Sequence, residues 1–129
     1  MREPPWKSLV RHLEDRGYES PYLDRLRARL DAGGIRQSLE TEIVREVAQA
    51  LGRSEDKVNH ALLELELAAR AVDEAADADT RAARIAHFNQ VREDALRARQ
   101  YLRIHREAVG FRRHHDFERL YPIPPRMLV

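Results

Sequence analysis

The chain has 129 residues, of which 35% are charged and none is cysteine, and its formal net charge is +1. This length suits one domain with a single core, and the lack of cysteine excludes disulfides, thiolate metal sites and cysteine nucleophiles. No apolar run reaches the roughly 18 residues that a membrane-spanning helix needs, and no secretory signal is recognisable. We therefore expect a cytoplasmic protein without a membrane partner.

Charge is unevenly distributed along the chain. Residues 97–129 carry eight basic and three acidic side chains, whereas residues 1–96 carry 15 and 19. A basic end beside an acidic body is typical of a surface for nucleic acid or for an acidic partner. It is also compatible with two parts whose charges satisfy each other within the fold or across a dimer, and this is the interpretation we favour.

Two short amphipathic helices are predicted at the start of the chain. The first spans residues 5–16, with Trp6 as its anchor in the core, and ends at Gly17. The second spans residues 21–32, begins after the N-cap Ser20, carries one leucine stripe and stops at Gly33 and Gly34. Helices of this length need packing partners to be stable.

Three longer helices are predicted over residues 38–51, 55–76 and 80–118. Gly52 and Ser54 separate the first two, as helix stop and N-cap, and Thr80 is the predicted N-cap of the last. The 55–76 helix carries a coiled-coil-like seam with alternating spacings of three and four residues: Val58, Ala61, Leu65, Ala68, Val72 and Ala75. With the 80–118 helix, which contains Gly110 as a possible kink or end, it predicts an antiparallel helical hairpin with a thin alanine-lined arm.

Residues 121–129 form a proline-rich tail that begins Tyr121-Pro122-Ile123. Proline cannot continue a helix and favours extended backbone. Such a tail can serve as a ligand for an aromatic groove, or it can lie across its own helices through Tyr121 and Ile123. We favour the second interpretation because a single short segment lacks repeated recruitment motifs. The predicted fold class is all-α: a small bundle of about five helices in one domain, 1–129, with a long hairpin and an extended tail.

Residues 44–63 carry the spacing of a tight helical corner: Ala48, then Gly52 four residues later, then Val58 six further on. This resembles the helix-turn-helix of bacterial DNA-binding proteins, in which a small residue lets two helices cross and glycine forms the turn. The resemblance covers about 20 residues and no family is recognised over the whole chain. It implies a DNA-facing set consisting of Arg53, Lys57, Asn59 and His60, with Arg112 and Arg113 as phosphate contacts.

The start of the proposed reading helix argues against this role. Glu55 and Asp56 place two carboxylates where DNA phosphates would lie, which is electrostatically unfavourable. DNA binding is therefore the alternative function in our interpretation.

Catalytic and metal-binding patterns are not found in the sequence. Only His60 with Glu64 and His115 with Glu118 have helical ligand spacing, and two ligands are too few for zinc. His105 lies on the predicted seam without an accompanying nucleophile, and phosphate loops and nucleophile elbows are missing. We expect neither an enzyme nor a cofactor. The sequence favours a helical interaction or scaffold protein that self-associates as a homodimer through the hairpin, at the exposed stripe of its alanine-lined arm, and it names no protein partner.

Overall fold

The computed structural model describes residues 4–32, 42–111 and 114–129. Its helices are α1 (Lys7–Asp15), α2 (Pro21–Ala32), α3 (Glu42–Asp73), α4 (Ala78–Ala108) and α5 (Phe117–Leu120). The described ranges contain no strand, so the all-α prediction is confirmed. None of the helices in these ranges combines the length and the apolar character needed to cross a membrane.

Helix α1 and the start of α2 follow their sequence signals, whereas the predicted stop of α2, Gly33 and Gly34, lies outside the described residues. Trp6 is buried at the start of α1, and that helix ends before Gly17. The predicted N-cap of α2 is confirmed, because Ser20 Oγ accepts hydrogen bonds from the backbone N–H groups of Tyr22 and Leu23 at 3.1 and 3.5 Å. These bonds satisfy N–H groups that have no partner within the helix.

Helix α3 corrects the predicted break between the 38–51 and 55–76 helices. It runs without interruption through Gly52, and Ser54 lies buried inside it rather than capping a new helix. Gly52 does not adopt the positive φ of a turn glycine. A Cβ on Gly52 would lie 3.0 Å from Nη1 and 3.2 Å from Cζ of Arg29 in α2, and Arg29 Nε donates to Asp56 Oδ1 at 3.1 Å. The glycine therefore makes room for an arginine from the neighbouring helix.

Replacing Gly52 with alanine is expected to raise the free energy of unfolding by up to about 1 kcal/mol, the difference in helix propensity. The gain is reduced because the Arg29 guanidinium must shift slightly, and its pair with Asp56 is worth about 0–1 kcal/mol. When the chain also carries Arg29→Met, urea denaturation should show the full glycine-to-alanine difference of about 1 kcal/mol in the free energy of unfolding. A loss of about 1 kcal/mol or more in that background would contradict the continuous helix, since alanine is strained in a left-handed turn.

Helix α4 begins and ends at positions other than those predicted. Asp77, not Thr80, is its N-cap: Asp77 Oδ1 accepts from the Thr80 N–H at 2.7 Å, and the Thr80 hydroxyl donates to Oδ2 at 3.0 Å. These hydrogen bonds hold the pKa of Asp77 below its usual 3.8. The predicted single helix over residues 80–118 is wrong, because α4 stops at Ala108 and Gly110 follows with a φ of 108°. That left-handed conformation is readily adopted only by glycine.

Helices α3 and α4 form the longest contact in the described chain. Arg84 near the start of α4 donates to the Ala71 carbonyl near the end of α3 at 2.6 Å, and Ser54 near the other end hydrogen-bonds to His105. Helix α2 packs on α3, and α1 packs on α2. The largest fully buried side chains of the described residues are those of Val10, Leu26, Val58, Leu62, Leu63, Val72, Ile85, Phe88 and Leu102.

The predicted α4 seam is buried only along part of its length. Phe88, Ala95 and Leu102 are buried, whereas His105 and Val109 are exposed. The facing part of α3 is likewise exposed over residues 46–49. The contact between the two helices therefore opens towards residues 46–49 of α3 and residues 105–109 at the end of α4.

Candidate interaction surfaces

Residues 121–129, here called the C-terminal segment, lie along α4 and have no helix or strand. Arg99 Nη1 donates to the Tyr121 carbonyl at 3.0 Å, and Arg92 Nε donates to the Pro124 carbonyl at 2.7 Å. Asn89, one turn before Arg92, contacts Met127. Residues later in the segment contact residues earlier in α4, so the segment runs antiparallel to α4.

Asn89 pairs with the backbone of Met127 through both ends of its amide. Its Nδ2 donates to the Met127 carbonyl at 3.0 Å, and the Met127 N–H donates to Oδ1 at 2.9 Å. A side-chain amide matches the donor and acceptor of one peptide residue in this way. Asn89 is only 9% exposed, so the amide end of both bonds is largely shielded from water. The segment is thus held through its backbone, and proline does not disturb that mode because its carbonyl remains available.

The segment lies in an apolar groove, of which about 380 Å³ remains open beside it. Its walls come from α2, α3, α4 and the segment: Tyr22, Leu62, Leu65, Glu66, Ala69, Phe88, Pro122, Ile123 and Pro124. Tyr121 is buried, and Ile123 and Met127 are half-buried. Burial of apolar side chains therefore accompanies the backbone hydrogen bonds.

Arg25 of α2 fixes the beginning of the C-terminal segment. Its guanidinium carbon lies 5.5 Å from the Tyr22 ring centroid and 5.4 Å from that of Tyr121, a spacing at which a cation is attracted to an aromatic face. Nη1 also donates to Asn59 Oδ1 at 3.1 Å and to the Leu120 carbonyl at 2.9 Å. One side chain thereby joins α2, α3 and the segment.

Three tyrosines near this groove remain protonated at neutral pH. Burial is the main cause that raises the pKa of Tyr22 and of Tyr121 above the usual 10.0. The pKa of Tyr18 rises to about 12, first through burial and then through the Glu66 carboxylate, which accepts its hydrogen bond at 3.1 Å. Their hydroxyls therefore act as neutral packing and hydrogen-bonding groups.

The residues predicted to face DNA are not presented together. Arg53 and Lys57 are exposed on α3. Asn59 is buried, at 5% exposure, and is engaged by Arg25, so it does not face outward. His60 is half-buried, with Nε2 at 3.2 Å from Glu64 Oε1. The remaining predicted contacts, Arg112 and Arg113, lie outside the described residues.

A second surface lies where the α3–α4 contact opens. Val47 precedes Ser54 by seven residues and so shares its helix face, and Val109 follows His105 by four. Four exposed apolar side chains belong to this surface, here called the open-end patch: Val47 (42%), Tyr101 (63%), Ile104 (48%) and Val109 (39%). Tyr101 and His105 line one depression with Ser54, which places the patch across both helices.

The histidines show no metal-binding arrangement in the described part of the chain, where no three His, Cys, Asp or Glu side chains come together. His105 hydrogen-bonds to Ser54 through Nδ1. His114 is nearly buried, with its ring edge-on to Phe117 at 5.8 Å between centroids. Its Nε2 lies 3.5 Å from Glu107 Oε2 but makes no hydrogen bond.

Sequence reasoning missed the donors that hold the C-terminal segment. The three on α4, Asn89, Arg92 and Arg99, are spaced by three and seven residues, which places them on one stripe. That spacing is visible in the sequence, but nothing in it identifies backbone carbonyls as the targets. Arg25 lies on α2, with α3 between it and α4 along the chain, and gives no local signal.

Comparisons of the chain with protein-family models, with curated proteins and with solved structures find no match. The two surfaces are therefore interpreted from their own geometry. One is occupied by the chain's own C-terminal segment, and the other is exposed.

Proposed function

We propose that this chain is a non-enzymatic, cytoplasmic helical interaction protein that forms a homodimer through the open-end patch. The observation that carries the proposal is the change in burial along one helix pair. Val58 and Leu102 are 0% exposed, whereas Val47 and Val109, at the open end, are 42% and 39% exposed. Apolar side chains that continue a buried seam into solvent favour a protein partner.

The charges around the patch favour a second copy as that partner. Exposed acidic residues, Glu46 and Glu107, border it together with exposed Arg53, Lys57 and Arg103. In a two-fold symmetric dimer each surface meets itself in the opposite orientation, so a rim with both signs can pair with its own copy. The helical hairpin predicted from the sequence would then present its interface at its open end.

The alanine-lined arm offers less interface area than the patch. Its exposed side chains in the described chain include Ala76, Ala78, Ala83 and Ala86, and each alanine buries little apolar area. Val72 and Ile85, the larger apolar residues near the tip, are already buried at 2% and 1% exposure. The proposed interface therefore lies at the end opposite to the one that the sequence favours.

Replacing Ile104 with aspartate is expected to weaken dimerisation by about tenfold or more, because the interface would bury an unpaired carboxylate. Sedimentation equilibrium at tens of micromolar chain should give a dimer for the unchanged protein and a monomer for the variant. Ala83→Asp on the exposed arm is the matched control and should remain a dimer. A monomeric unchanged chain, or dissociation caused by Ala83→Asp alone, would contradict the proposal.

DNA binding through residues 44–63 remains the second candidate, supported by the exposed Arg53 and Lys57 one helical turn apart. Because α3 is continuous, such contacts would come from one long helix. Titration with mixed-sequence duplex DNA at about 50 mM salt tests this role, since non-specific binding should be detectable there. Binding that is lost in an Arg53→Glu, Lys57→Glu variant would support it, and no binding to the unchanged chain would contradict it.

A further inference from the structure

The contacts that hold the C-terminal segment do not depend on its covalent link to the helices. Five hydrogen bonds reach its backbone and that of the preceding Leu120 from the side chains of Arg25, Asn89, Arg92 and Arg99. These four side chains belong to α2 and α4. The apolar wall of the groove comes from α2, α3 and α4. A separate peptide with the same backbone path would find the same partners.

The chemistry of the groove defines the peptide it takes. Donors aimed at carbonyls suit a proline-containing segment, because proline keeps its carbonyl while lacking an N–H. The backbone N–H of Met127, which donates to the Asn89 side chain, lies beyond the prolines at positions 122, 124 and 125. The apolar positions are Tyr121, Ile123 and Met127. The ligand class is therefore an extended peptide with an aromatic–proline–aliphatic–proline sequence and a second apolar residue four positions after the aliphatic one.

Helix α4 ends in an exposed glycine turn from which the chain continues towards the segment. Residues 107–111 are exposed, and a Cβ on Gly110 would meet nothing within 4 Å. Two backbone hydrogen bonds form this turn, from the N–H groups of Gly110 and Phe111 to the carbonyls of Glu107 and Arg106 at 3.1 and 2.9 Å.

We propose that the groove between α2, α3 and α4 also accepts the C-terminal segment of a second copy of the chain. Exchange would keep each groove contact and change only which molecule supplies the segment. Within one chain the segment is present at an effective concentration on the order of millimolar, so its own copy occupies the groove until it is weakened or outnumbered. This site is separate from the open-end patch and does not depend on dimerisation there.

The test uses full-length chains that carry Ile104→Asp, so that the open-end patch cannot contribute. One chain, here called the open-groove chain, also carries Ile123→Asp and Met127→Asp, which should release the part of its segment that follows Tyr121. A labelled peptide of residues 117–129 should bind this chain about tenfold or more tightly than a chain with an unchanged segment, as measured by fluorescence anisotropy. Adding Asn89→Leu and Arg92→Ala to the open-groove chain should abolish that binding.

The role of a second copy is tested by mixing two chains in the same background. The open-groove chain and a chain with Asn89→Leu, Arg92→Ala and an intact segment should each be monomeric and together form a complex of twice the mass. Excess unlabelled 117–129 peptide should dissociate that complex, and a peptide with Ile123→Asp should not. If circular dichroism shows unchanged helix content but neither peptide binding nor a mixed complex is observed, the proposal is overturned.

A second measurement covers the case in which the open-groove chain does not fold. A 117–129 peptide with a photo-crosslinker in place of Ile123 is irradiated with the unchanged chain. Crosslinks to Leu62, Leu65 or Phe88 are expected, because these side chains line the groove beside Ile123. Crosslinks confined to other sites, or their absence at millimolar peptide, would overturn the proposal.

Discussion

Replacing Phe88 with alanine is expected to lower the free energy of unfolding by about 3–5 kcal/mol, the usual cost of deleting a buried aromatic ring. Phe88 is 1% exposed and is among the largest fully buried side chains of the described core. Its ring also forms part of the wall beside Pro122 and Ile123. Since a domain of this size is typically stable by about 5–15 kcal/mol, urea denaturation should show a large fraction of the stability lost.

Two comparisons separate this effect from a general intolerance of substitution. Phe88→Leu keeps most of the apolar volume and should cost clearly less than the alanine variant. Phe111→Ala should cost under about 1 kcal/mol, because Phe111 is 47% exposed and contacts the Arg106 guanidinium from outside the core. A loss of less than about 1 kcal/mol for Phe88→Ala would contradict its central position.

Replacing Arg25 with methionine is expected to lower the free energy of unfolding by about 2–3 kcal/mol. Methionine keeps the length of the side chain but removes the hydrogen bonds to Asn59 Oδ1 and the Leu120 carbonyl. The buried Asn59 oxygen then loses this partner, and an unsatisfied buried group costs about 1–3 kcal/mol. The contacts with the Tyr22 and Tyr121 rings are lost as well. Chemical denaturation measures the effect.

Arg27 provides a matched control on the same helix. It pairs with Asp24 at 3.1 Å, and both side chains are at least half exposed, so Arg27→Met should change stability by at most about 0.5 kcal/mol. Arg25→Lys should restore only part of the loss, because an ammonium group cannot reproduce the planar fork between two rings. Equal losses for Arg25→Met and Arg27→Met would contradict the joining role of Arg25.

Local signals were sufficient where a helix end is decided by its own residues. Ser20 and Gly17 mark the ends that they predict, because a cap or a stop acts within one turn. Gly52 followed by Ser54 has the same local form, yet α3 continues through both. The difference arises from Arg29, which packs against Gly52 from another helix, and a contact across 23 positions leaves no local signal.

The interaction surfaces were predictable only in part. Periodicity identified Val58, Phe88 and Leu102 as seam residues, and all three are buried. Periodicity alone does not show where a seam ceases to be covered, so the exposure of Val109 was not foreseen. Val109 is the last residue before Gly110, whose positive φ ends α4 before the predicted helix is complete.

The most direct test of the proposed homodimer measures distances between spin labels on neighbouring copies. The chain contains no cysteine, so a single Gln100→Cys substitution places one label per chain beside Tyr101 at the open-end patch. Ala83→Cys places a label on the arm. Dimerisation through the patch predicts a defined, short distance between the Gln100→Cys labels and a longer one between the Ala83→Cys labels. A short distance at Ala83→Cys only, or no dipolar coupling at either position, would contradict it.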